Sequence, residues 1–195
     1  MPTGQTPSSH DNRRMTIPAA SAPLPKVYFA GPDVFFRDGA AIFRRLKAAC
    51  APLGMEGMEP FDGQLDIAAD ESEDAFALRI YQGNVARIRA CDGVIANLAP
   101  FRGLEPDPGT VFEVGFAIAL GKPVVGYNVP HETYAARVAR QVPCTTDADG
   151  TVRETGDGSM VEGLGQRINL MLSRSIELAD TAGAALDLLA VRMRR

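Results

Sequence analysis

The sequence predicts an α/β protein built on a doubly wound parallel sheet of about five strands, with helices on both faces. Two observations lead there. Short apolar, β-rich runs alternate along the chain with longer segments of helical spacing. Two of the runs, "GVIANL" and "KPVVGYNV", are apolar on both faces, as strands must be when helices cover the sheet on either side. Strands separated in this way join as right-handed βαβ units.

The elements follow in order. Residues 1–25 are rich in Pro, Ser and Thr without periodicity and read as a disordered tail ahead of a single domain over 26–195. "KVYFAGPD" is a first strand halted by Gly-Pro-Asp. "DGAAIFRRLKAAC" places Ile42, Leu46 and Ala49 at helical spacing. "MEGMEPFDGQ" is a weaker strand and loop. "SEDAFALRIYQGNVARIRACD" is helical through Phe76, Ile80 and Ile88, with Gly83 counting against it. Strand "GVIANL", helix "GTVFEVGFAIALG" and strand "KPVVGYNV" come next. Residues 131–165 read as loop with one short helix, and the chain ends in a helical region broken or bent near Gly183.

Composition narrows the function. The 195 residues are 46% hydrophobic and 23% charged, as in an ordinary globular protein. A net charge of -4 supplies no basic field for nucleic acid or anionic lipid. No apolar run approaches the roughly 20 residues of a membrane span. Arg13-Arg14 resembles an export signal, but the prolines behind it interrupt any apolar core. Cys50, Cys91 and Cys144 are odd in number and widely spaced, which fits reduced thiols in a cytoplasmic protein better than a disulfide framework or zinc site. Neither GxGxxG nor GxxxxGK[ST] occurs, so a dinucleotide or P-loop site is disfavoured.

Ligands of such sheets bind beyond the carboxyl ends of the strands. Three loops lie there, "AGPD", "EPFDGQ" and "APFRGLEPDPGT", and they and the helix start after the last carry the polar candidates Asp33, Asp62, Gln64, Asp107 and Glu113. Glu113 has two readings. With Thr110 it makes a capping box at the start of an apolar helix. The same position in the first helical turn would let the macrodipole favour an ionised carboxylate at the rim of the sheet. Asp107, ahead of the Pro108-Gly109 turn, is placed to fold over the same pocket. Two carboxylates suit glycosyl transfer, one attacking the anomeric carbon and the other exchanging a proton with the leaving group.

"YFAGPDVF", "ANLAPFRGLEPDPGTVFEVGFAIALGKPV" and "VEGLGQRINLML", in this order, resemble the nucleoside 2-deoxyribosyltransferases, particularly the branch found in trypanosomatids and some bacteria. The resemblance spans roughly Val27 to Leu172 and implies a flavodoxin-like fold. It implies that Glu113 attacks C1′ of a deoxyribose, that Asp107 exchanges protons with the bases, and that Tyr28 orients the nucleophile. Gln64 is implied to lie near the base; Asp33, Phe35 and Gly109, on the loops beside it, are further candidate substrate contacts. Asn169 and Met171 are implied to close the site of a neighbouring subunit, which makes the active unit a homodimer or larger. Asn84 stands where other members carry an active-site aspartate; an amide cannot donate a proton as a carboxylic acid does. The substrates implied are purine or pyrimidine 2-deoxynucleosides and free nucleobases, with no metal or cofactor.

Several residues also have plainer readings. Phe35 and Phe36 are equally core residues or a stacking surface for a base, Asp33 a turn cap or a base contact, and Arg102 more readily the partner of a loop carboxylate than a phosphate ligand. Two rival functions remain, a nucleoside or 2-deoxynucleoside monophosphate hydrolase using the same glutamate, and a nucleoside-sensing module without catalysis.

Overall fold

The computed structural model describes residues 22–60 and 71–194. Asp62, Gln64 and most of the tail expected over 1–25 lie outside the described residues. Strand β1 (Lys26–Ala30) runs into a single 3-10 turn, Pro32–Phe35, and helix α1 (Gly39–Cys50) returns to β2 (Glu56–Met58). Helix α2 (Glu73–Ala90), β3 (Gly93–Asn97), α3 (Pro108–Ala119) and β4 (Val124–Tyr127) follow. Next come α4 (Tyr134–Gln141) and the hairpin of β5 (Cys144–Thr146) and β6 (Val152–Glu154). Helix α5 (Leu170–Ser175), β7 (Glu177–Ala179) and α6 (Ala182–Met193) complete the chain.

The five-stranded sheet is wholly parallel in the order β2-β1-β3-β4-β7, the flavodoxin-like order. Its double covering is read directly from β1. Val27 and Phe29 join Phe43 and Leu46 of α1 and Leu186 and Leu189 of α6 in one core. Tyr28 and Ala30, pointing the other way, join Ile88 of α2, Val114 and Ala117 of α3 and Leu172 of α5 in a second. Helix starts are set by short polar caps, Ser72 accepting from the Ala75 amide and Thr181 from that of Ala184. Helix α2 continues through Gly83 without a break.

Two expectations are corrected. The terminal region, expected to be helical with a break or bend near Gly183, is not wholly helical: it breaks ahead of Gly183, which lies in the first turn of a separate helix, α6, and "ELA" in the break is the fifth sheet strand, paired with β4. Its three residues are too few for periodicity to separate strand from helix. Residues 131–165 contain a hairpin as well as the expected helix. Among the described residues no helix is long and apolar enough to cross a membrane, and Cys50, Cys91 and Cys144 are free thiols.

At the carboxyl edge of the sheet one side chain ties three strand ends together. The Asn97 amide nitrogen donates to both Asp33 oxygens at 3.0 and 3.2 Å, while its oxygen accepts from the Asn128 side chain at 3.1 Å and the Ala99 amide at 3.3 Å. A β-carbon on Gly31 would fall 2.7 Å from Asp33 Oδ2 and 2.9 Å from Asn97 Cβ, so this close approach requires glycine.

Candidate active site

Helix α3 begins earlier than the Thr110–Glu113 capping box would require. Asp107 is its N-cap: Oδ2 accepts from the Thr110 amide at 2.8 Å and from the Thr110 hydroxyl at 3.0 Å, with Pro108 in the first helical position. Glu113 therefore lies in the second turn, relieved of capping. Its carboxylate turns to the sheet, where Oε1 accepts from the Tyr28 hydroxyl at 2.6 Å and from Asn84 Nδ2 at 3.4 Å.

Burial governs the electrostatics of this cluster. Desolvation pushes the Glu113 carboxyl up to about 7; the Tyr28 hydrogen bond opposes that rise and the charge of Asp107 adds to it. The expectation that the macrodipole would favour ionisation is thus overturned, because the dipole fades beyond the first turn and desolvation exceeds it. Tyr28 is fully buried, and burial with the neighbouring carboxylate raises its hydroxyl far above the ordinary phenol range, so it stays protonated and donates to Glu113.

Glu113 opens into a cavity of about 300 Å³ that also presents Asn84, Asp107, Gly109 and Thr110, with Val34, Phe35 and Ile80 as apolar walls. Phe35 is not a core residue. It is 58% exposed and stacks on Phe101 at 5.4 Å between ring centroids. Arg102, expected to pair with a loop carboxylate, instead lies over the Phe101 and Phe35 rings, 4.7 and 5.4 Å from their centroids. Neither Phe101 nor this stacking was singled out from the sequence; an Arg beside aromatic residues was the available signal.

Other expected residues are not gathered here. Asp33 is 5% exposed and faces the opposite side of the β1 tip, lining a cavity with Arg45, Tyr127 and Asn128. Burial raises its carboxyl despite the Asn97 donor. Asn169 and Met171 line a separate apolar cavity of about 590 Å³, against Val111, Gly115 and Ile118 on the face of α3 turned from Glu113. Asn84, expected at the substrate, has the nucleophile candidate within reach. Glu162, which sequence reasoning passed over, bonds the Asn169 side chain at 3.0 Å.

The arrangement offers a half-buried carboxylate held by a phenol, a second carboxylate on the adjoining loop and an aromatic wall. Those are parts for displacement at a carbon bearing a planar, stackable leaving group.

Residues 27–171 match the family model for nucleoside 2-deoxyribosyltransferase. A 2-deoxyribosyltransferase from Leishmania mexicana is 31% identical in sequence, and its structure matches with a TM-score of 0.67 over 86% of this chain and 97% of that one. An uncharacterised protein of Schizosaccharomyces pombe is 31% identical over 178 residues, 85% of this chain and 84% of its own. The 2-deoxyribosyltransferase of Bacillus psychrosaccharolyticus, 18% identical with a TM-score of 0.53 over 84% of this chain and 90% of its own, shares the fold.

The raised Glu113 pKa sets a pH dependence of stability. Below its ordinary value of 4.5 the group is protonated both folded and unfolded, and its contribution is fully present. That contribution falls as pH rises, and is lost once pH passes the folded value of about 7. Glu113→Gln keeps an oxygen for Tyr28 and cannot ionise. By urea unfolding the variant should match the parent near pH 4 and exceed it near pH 8.5 by on the order of 3 kcal/mol. An equal difference at both pH values would show that Glu113 titrates normally.

Proposed function

The chain belongs to the nucleoside 2-deoxyribosyltransferase family, and from that membership we propose that it moves 2-deoxyribose from one nucleobase to another by double displacement. The observation that carries the reading is the 2.6 Å bond from Tyr28 to Glu113 at the wall of a cavity shared with Asp107. In the first step the Glu113 carboxylate attacks C1′, and the C1′–N bond breaks with its electron pair leaving on the base. Asp107 supplies the proton that the base takes up. In the second step the incoming base attacks C1′ and expels Glu113, while Asp107 recovers a proton. Two inversions give net retention.

The supporting geometry is specific to each group. Tyr28 donates to one carboxylate oxygen and leaves the other for carbon. Its hydrogen bond favours the ionised nucleophile, partly offsetting the desolvation that opposes it. Asp107 caps α3 through Oδ2 alone, which leaves Oδ1 for proton exchange. Phe35 offers a face for base stacking, and Asn169 and Met171 serve the site of a second copy. The substrates on this reading are purine or pyrimidine 2-deoxynucleosides and free bases.

The deciding assay incubates thymidine or deoxyinosine with and without adenine and separates the products. A new nucleoside formed only with the acceptor base supports transfer; free base in both incubations indicates hydrolysis, and no reaction a sensor. Glu113→Ala should lower turnover by orders of magnitude, and a 2-fluoro-2-deoxynucleoside should leave a sugar on Glu113 detectable by mass spectrometry. Asp107→Asn should slow substrates whose base needs a proton more than those with activated leaving groups, whereas equal slowing would assign Asp107 a structural role. For the shared site, mixing Glu113→Ala with Asn169→Ala after verified subunit exchange should restore part of the activity, because one mixed site holds both intact residues. Persistent inactivity would exclude sharing.

A further inference from the structure

The segment that carries Asn169 is held by a residue outside the catalytic cluster. Val161 and Ile168, both buried, anchor the stretch that leads into it. Arg137 Nη1 donates to the Arg167 carbonyl at 2.7 Å and to that of Glu132 at 2.9 Å, fixing the backbone two residues before Asn169. Within this frame Glu162 spends both oxygens on the start of α5. Oε2 accepts from Asn169 Nδ2 at 3.0 Å, and Oε1 from the Leu170 amide at 2.6 Å. Among the described residues no lysine or arginine pairs with Glu162. Its carboxylate answers backbone and amide donors alone.

The consequence is chemical. Asn169 Oδ1 accepts from the Met171 amide at 3.0 Å, so the side-chain amide is read at both ends. Turning it over would set Nδ2 against the Met171 N–H and Oδ1 against the Glu162 carboxylate, two like-against-like contacts. One orientation is therefore selected. It leaves one N–H of Nδ2 and the remaining lone pair of Oδ1 for a ligand, in fixed positions. Met171, at 72% exposure, stands out from the same turn.

We propose that Glu162 is a positioning residue for nucleoside recognition: it orients the Asn169 amide so that a single donor and acceptor pattern faces the sugar bound by the partner protomer. This rests on the reading that Asn169 contacts the sugar. The role needs two acceptors at once, which only a carboxylate supplies. In Glu162→Gln, nearly identical in shape, one end of the new amide carries hydrogens. If its oxygen keeps the Leu170 amide, its NH2 meets the NH2 of Asn169 and drives that side chain to turn or let go.

The test is a double-mutant cycle on kcat/KM for deoxyribosyl transfer, using Glu162→Gln, Asn169→Ala and the pair. Glu162→Gln should lose about ten- to a hundredfold, the effect of one or two misdirected hydrogen bonds. Measured on the low residual kcat/KM of Asn169→Ala, it should lose nothing further, since the group it orients is gone. Independent, multiplying losses would overturn the proposal, because they would mean that Glu162 acts on stability or another group. A second readout needs no catalysis: one Asn169 Nδ2 proton should exchange slowly by NMR in the parent and rapidly in Glu162→Gln. Rapid exchange in the parent would also overturn it. If no Glu113–sugar adduct forms in the parent, the functional reading fails instead, and the amide signal alone then decides whether Glu162 holds Asn169.

Discussion

The structure turns on a buried phenol that must find an acceptor. Tyr28, on β1, sits in the second core, fully buried among aliphatic side chains. An unpaired hydroxyl there would cost on the order of 1–3 kcal/mol. The acceptor it finds is Glu113, and the bond joins β1 to α3 across 85 residues of sequence. Each group solves the other's problem. The phenol gains a partner, and the carboxylate is held at the rim of the core, where it could not remain unpaired. Asp107 makes this possible by capping α3 itself, since a Glu113 bound back to the helix start would be turned away from the sheet.

The fold was largely legible because its signals are the ones burial leaves in sequence. "GVIANL" and "KPVVGYNV" are apolar on both faces because helices cover both faces, whereas α3 buries only Val114 and Ala117 of its apolar residues against the sheet and lines an open cavity with Val111 and Ile118. The missed strand, β7, is short and has ordinary helical residues; only pairing with Tyr127 and its neighbours makes it a strand, and pairing is not local information. That Glu113 faces a pocket at the rim of the sheet was legible, while the cap that frees it was not. "GTVFE" fits the capping-box pattern, yet "DPGT" also fits an aspartate cap followed by proline, and backbone packing favours the second. The pKa direction failed for the same reason: sequence shows where a helix starts, whereas desolvation depends on what the fold lays over the carboxylate.

The carboxyl edge of the sheet is divided by the β1 tip. On one side Asp33 and Tyr127 face α1 and α6, and on the other Glu113 and Asp107 lie on α3. Residues adjacent in sequence, Asp33 and Phe35, consequently reach different cavities. That separation is invisible to a reading that ranks loops by polarity. Asn97 holds the two sides in register by bonding Asp33 from below while its own strand leads into the loop that ends at Asp107. Gly31 permits the contact by having no side chain to obstruct it.

Helix α3 serves two cavities with two faces, and this constrains how a complete site is built. Glu113 and Thr110 look toward α2, while Val111, Gly115 and Ile118 look toward Asn169 and Met171. A rigid helix cannot turn both faces to one ligand, so Asn169 of the same chain reaches the Glu113 cavity only if α5 travels around α3. Glu162 and Arg137 pin the segment ahead of α5 through side-chain and backbone bonds, which opposes such travel. On the proposed shared-site reading, the rigidity that keeps Asn169 from Glu113 of its own chain suits it to that of a neighbouring copy: a presented amide recognises a hydroxyl well only when its donor and acceptor are fixed before the ligand arrives.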